Sequence, residues 1–226
     1  MLALILAVLV WLGLHAVVPA TVRPALVARF GLQRYIPVFA MSSLAAMTGM
    51  VLAYREAPYV ALWPPLPGGS LVVPLLVAAA FQLVALGVTA INPATPAGEA
   101  MGGAPLPTLG VVRITRHPVL AGIALWAAGH LLVNGHLAAL LLFGTLLFTA
   151  VNGMASIDRH RRKALGPAWD GFAARTSRLP FAAIAAGRNA WTPGEVPWRP
   201  AAAGLAVFVG VYAAHLWLFG VPPWLP

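Results

Sequence analysis

Hydrophobic and polar residues are not mixed evenly along this 226-residue chain. They fall into long apolar blocks of near-membrane length, separated by short polar or Gly- and Pro-rich connections. A helix crossing a bilayer needs about 20 mostly apolar residues. Six blocks read this way: 2–20, 36–54, 71–91, 118–134, 136–155 and 201–221. The pattern predicts an all-α, polytopic integral membrane bundle of six transmembrane helices forming a single domain over 1–226. Only "NGH" (134–136) separates blocks four and five, so those helices are expected to be antiparallel neighbours. Two connections are too long to be simple turns. They are loop 92–117 and loop 156–200; within the second, Trp169, Phe172 and Phe181 alternate with arginines, as in a helix lying on a membrane surface.

Composition agrees with that pattern. The chain is 61% hydrophobic and 8% charged, against about 25% charged in soluble domains. The net charge of +9 raises the question of nucleic acid, and its distribution answers it. Of 14 basic residues, 13 fall in loops 21–35, 92–117 and 156–200; the intervening connections hold only Arg55. By the positive-inside rule those three loops are cytoplasmic and both termini lie outside, in the periplasm of a bacterial inner membrane. The charge thus encodes topology, and no nucleic-acid partner is expected; the partner is membrane lipid. The first apolar block follows no basic residue and precedes arginines, which favours a retained helix over a cleaved signal. Trp63 and Trp224 at the outer edge, and Trp191 and Trp198 at the inner, sit where aromatic belts belong.

There is no cysteine, which excludes disulfides, thiolate metal sites and cysteine nucleophiles. Ionisable groups inside hydrocarbon are costly and are functional candidates. Three histidines qualify: His15, His130 and His215. In "TRHPVLAGIALWAAGH" (115–130), His117 and His130 lie 13 residues apart. That separation advances a helix about 20 Å and turns it by about 220°, so the two cannot share one metal. His117, with Arg113 and Arg116, reads as an anion-facing cluster at the cytoplasmic mouth. His130 reads as a buried ligand whose face includes Gly122, Trp126 and Asn134, with Asn134 placed to fix the ring tautomer. "WLGLH" puts Trp11 four before His15, as "WAAGH" puts Trp126 four before His130. Pro19 removes the amide that would bond the His15 carbonyl.

Two membrane histidines beside flat aromatics, without cysteine, suit bis-histidine haem. The alternative is a set of interhelical hydrogen bonds. His15 and His130 differ in expected depth by roughly 15 Å, so His130/His215 stands as a second pairing. On α-helical spacing, Thr145, Thr149, Asn152 and Ser156 read as interhelical glue.

"LHAVVPATVR", "GVVRITRHPVLAGIALWAAGHLLVNG" and "RTSRLPFAAIAAGR", in that order, resemble the NnrU family across nearly the whole chain. NnrU proteins are bacterial membrane proteins associated with denitrification and nitric oxide metabolism. They are similar to zeta-carotene isomerase, a haem b enzyme that isomerises a cis double bond in a polyene. The resemblance implies haem b with His15 and His130 as metal ligands, a haem-dependent isomerase activity, and a hydrophobic or nitrogen-oxide small molecule as substrate. It equally allows an accessory factor for a nitrite or nitric oxide reductase system. Where the isomerase has a third histidine, this chain has Arg55 and Glu56. A second resemblance joins "TRHPVLAG" and "KALGPAWDGFAARTSRLPF" to isoprenylcysteine and phospholipid methyltransferases. It implies S-adenosylmethionine near Arg116 and His117, but basics replace all the expected acids except Asp158.

Overall fold

A computed structural model describes residues 1–95 and 106–223. Part of loop 92–117, at 96–105, and the expected belt residue Trp224 lie outside the described residues. The described chain is helical, with one isolated bridge between Ala61 and His136 and no strand.

The elements follow the apolar blocks closely. Helix α1 (Leu2–Leu12) passes into a π-helical stretch, Gly13–Val22, and then α2 (Arg23–Phe30) and α3 (Leu32–Arg55). Next come α4 (Gly69–Thr89), the short α5 (Val111–Ile114), α6 (Pro118–Val133) and α7 (Leu137–Leu165). The chain closes with α8 (Pro167–Arg175), α9 (Ala182–Ala185) and α10 (Trp198–Phe219). Pro19 lies inside the π-helical stretch. Its missing amide is accommodated there by wider winding, as π turns do where an α-helical bond cannot form.

Among the described residues, five segments are long and apolar enough to cross a membrane: Leu2–Pro19, Leu32–Arg55, Gly69–Thr89, Leu137–Leu165 and Trp198–Phe219. The sixth expected span is α6, whose 16 residues reach about 24 Å, short of a hydrocarbon core of about 30 Å. α6 contacts both α4 and α7 and is apolar all round, as befits a helix surrounded by others. Outside it, side chains such as Leu71 (76% exposed) and Trp217 (83% exposed) present apolar surface that water would not tolerate.

Two points of close contact fix this bundle. A Cβ on Gly122 would sit 2.7 Å from the Ala80 carbonyl oxygen, so only glycine lets α6 and α4 approach this closely. Gly135, in the tight turn before α7, lies against the Trp63 backbone and accepts from the Leu62 and Trp63 amides. His136 caps α7, its Nδ1 accepting from the Ala139 amide at 3.3 Å.

One core cluster joins α1, α3, α6 and α7 around Leu4, Met50, Ala127 and Phe143. The other lies at the basic end, around Val112, Trp169 and Phe172. This second cluster corrects the surface-helix expectation. Trp169 and Phe172 of α8 are fully buried in protein, and only Phe181, beyond the helix, is exposed.

Candidate functional site

The two tryptophan–histidine repeats fold into the same local device. In each, the imidazole Nδ1 lies against the carbonyl oxygen four residues back: His15 on Trp11 at 3.0 Å, His130 on Trp126 at 2.8 Å. A carbonyl only accepts, so Nδ1 carries the proton and donates. Nε2 is then left with its lone pair, the form in which a histidine binds metal. The neighbouring rings set the orientation. His15 stacks on Trp11 (centroids 3.8 Å, planes 23° apart) and meets the edge of Phe39. His130 stacks on Phe143 of α7 (4.8 Å, 26°), with Trp126 tilted against its other side at 4.6 Å.

Asn134 plays a different part from the one expected. Its Nδ2 donates to the His130 backbone carbonyl at 2.8 Å, closing the end of α6. The ring's tautomer is set by the Trp126 carbonyl instead. Gly122 also departs from the shared face: eight residues turn a helix by about 80° beyond two full turns, so Gly122 meets α4 while His130 meets α7. Of the polar row on α7, Thr149 does join helices, accepting from the Trp11 indole at 3.0 Å. Asn152 bonds within its own helix.

Trp11, under the His15 ring, is anchored at Thr149 of α7, and His130 packs on Phe143 of the same helix, six residues and about 9 Å along its axis from Thr149. With Nδ1 committed in both, each imidazole keeps Nε2 for a ligand. His215, the other membrane histidine, holds its own Nδ1 on the Val221 carbonyl at 2.6 Å. Among the described residues, no three His, Asp or Glu side chains gather as a metal site.

At the basic end the expected anion mouth is closed by the chain's own carboxylates. Asp158 of α7, with its side chain 3% exposed, takes both Nε and Nη2 of Arg116 (3.1 and 2.6 Å). It also takes His117 Nε2 at 2.7 Å and Arg178 Nε at 2.5 Å. Burial pushes the His117 imidazole below its usual value, partly offset by Asp158; Arg116 and Arg178 add to the lowering. It is therefore neutral at pH 7, with the proton on the Nε2 that faces Asp158. Arg113 forks onto Glu195 through two bonds of 2.7 Å. That pairing, with the Gly110 amide, holds the Glu195 carboxyl down at about 2 and raises Arg113.

Backbone pairing completes this end. The Arg116 amide donates to Ser177, the Phe181 amide to Ile114, and Thr115 Oγ1 to the Arg178 carbonyl at 2.7 Å. The "TRHP" and "TSRLPF" segments are thus brought together. The carboxylate of Asp158 is, however, already shared by two arginines and His117. Asp158 as hub and Glu195 as clamp were not anticipated. The available signal for Asp158 was one carboxylate in the otherwise basic run "SIDRHRRK".

Comparison with known proteins agrees with the early resemblance. Residues 3–223 match the family described as NnrU protein. The chain belongs to the NnrU family. It is also similar to two proteins named 15-cis-zeta-carotene isomerase, chloroplastic. The Arabidopsis thaliana protein is 38% identical over 113 residues, covering 47% of this chain and 30% of the relative. The Zea mays protein is 39% identical over 84 residues, covering 35% and 22%. This NnrU chain thus spans less than a third of either relative's length. No solved structure matches it.

Proposed function

We propose that this NnrU protein is a multi-pass membrane protein that isomerises an apolar small molecule inside the bilayer, with haem b carried by His130. The isomerase class comes from the two relatives' names, and the membrane setting from the apolar helices. One observation carries the site: His130, on the central helix, has its Nδ1 committed to Trp126 and so keeps Nε2 for a ligand. Phe143 and Trp126 pack against that ring and hold its plane. Asn134 ties off the helix end, so His130 is carried on a fixed frame.

When bound, a haem supplies an iron that can polarise a ligand or exchange an electron with it. His130 would hold it from one side, and residues of α4 and α7 would confine the substrate. This reading assigns the iron to His130 alone and leaves His15, on the π-wound stretch after α1, outside the site. Topologically, α6 is the sixth span, both termini lie outside, and the membrane is the bacterial inner membrane; the distribution of 13 basic residues supports that orientation.

The test is the visible spectrum of detergent-purified protein, oxidised and dithionite-reduced. We expect a Soret band with sharp reduced α and β bands, abolished in His130→Ala and retained in His15→Ala. Loss in both variants would mean that the two imidazoles close on one iron. A colourless, folded protein from haem-replete cells would remove haem from the proposal.

A further inference from the structure

Away from the His130 site, two cavities open along the seam between α1 and α3. One, of about 540 Å³, is walled by Val10, Leu14 and Gly49; the other, of about 430 Å³, by Val18, Phe30 and Phe39. Leu14 and Ser42 line both, so the two form one continuous groove. Its walls are apolar apart from the Ser42 hydroxyl and, at one end only, Arg34 and Tyr35. From Arg34 to Gly49 the groove follows 15 residues of α3, about 22 Å.

Three features constrain the occupant. The walls call for a hydrocarbon body. Arg34 is exposed at the start of α3 and makes no hydrogen bond or ion pair with the described residues, so its guanidinium is available to an acid. An arginine fork there matches a carboxylate or phosphate in two parallel bonds. Finally, a groove of about 22 Å along α3 suits one extended hydrocarbon chain, with the single acidic contact at its Arg34 end.

We infer that the α1/α3 groove binds a single long apolar chain ending in an acidic head group, with the acid on Arg34 and the chain extending past Ser42 toward Gly49. This needs neither haem nor His130, so it stands or falls apart from the proposed function.

The test is equilibrium binding of radiolabelled oleate to the full chain in phosphatidylcholine nanodiscs, with oleyl alcohol and phosphatidylglycerol as competitors. We expect saturable binding of one oleate per chain, weakened about tenfold by Arg34→Gln, in line with loss of one charge-assisted interaction at a partly wet site. Oleyl alcohol should compete with wild-type protein about tenfold less well than oleate, and phosphatidylglycerol weakly. Gly49→Leu, whose Cβ enters open space, fills the groove without disturbing the fold and should abolish binding of both single-chain probes. Melting temperatures of both variants, equal to that of the wild type, verify that they are folded. Oleate binding unaffected by either variant would overturn the inference, as would oleyl alcohol equal to oleate, or phosphatidylglycerol displacing oleate at matched concentration.

Discussion

Asp158 shows how much a single carboxylate can organise. One buried anion satisfies Arg116, His117 and Arg178, which come from the entry to α6 and from the segment after α8. Removing one partner of a buried ionic set typically costs about 3–5 kcal/mol, because the others stay buried and unpaired. His117 makes this knot sensitive to pH. Its folded-state value lies below the usual 6.5, so between the two values the unfolded chain binds a proton that the folded chain refuses. Stability is therefore full above pH 6.5 and is lost as pH falls through the folded value. Thermal melts in detergent should show Tm level from pH 8 to 7 and falling below about 6.5. In His117→Gln, which keeps a donor toward Asp158, the fall in that window should disappear. A wild-type Tm that is flat from pH 7 to 5 would contradict the neutral assignment. The sequence displayed the histidines well, because intramembrane polarity and four-residue spacing are local signals. It hid Asp158 because its partners lie 20 to 42 residues away, and nothing in a run of basics says which of them turn inward.

At the scale of elements, hydrophobic blocks located the starts of the long helices to within a few residues, but neighbours determined where each ends and what it does. α7 continues ten residues beyond the expected 155, because its polar last turns are held by Asp158 and Arg161 inside protein. α8 looked like a surface helix from its aromatic and basic alternation; its Trp169 and Phe172 are instead the centre of a core. A period of 3.6 shows that one face is buried and does not show against what. α6 depends most on contact, since it is short and apolar all round, and its position against α4 rests on Gly122. Gly122→Val would drive methyl groups into the Ala80 carbonyl and Val84. Overpacking of this kind costs about 1–3 kcal/mol, and here it also displaces the helix that carries His130. We expect a lower Tm and, with haem on His130 as proposed, a weakened or shifted haem spectrum. Gly129→Ala, whose nearest neighbour would be Val73 at an ordinary 3.6 Å, should leave both unchanged and serves as the matched control.

For the whole molecule, the decisive property is which end of the bundle faces the cytoplasm, because the Asp158 knot and the Arg34 end of the groove both belong to the basic end. Helix length alone is symmetric about the membrane plane; only charge breaks that symmetry. Arginines pulled into internal pairs still count, since topology is read from the chain during insertion, before Asp158 or Glu195 can be reached. The lack of cysteine allows a direct test, because any introduced thiol is unique. Glu56 lies exposed just after α3, and Lys163 is exposed near the end of α7. In intact spheroplasts, a membrane-impermeant maleimide should label Glu56→Cys at once and Lys163→Cys only after permeabilisation. The opposite pattern would invert the bundle and put the carboxylate knot on the outside. Equal labelling of both before permeabilisation would place the two residues on the same side, which requires an odd number of membrane crossings among α4, α6 and α7 to be lost. In that case α6, too short by itself to span, would be the helix to reassign.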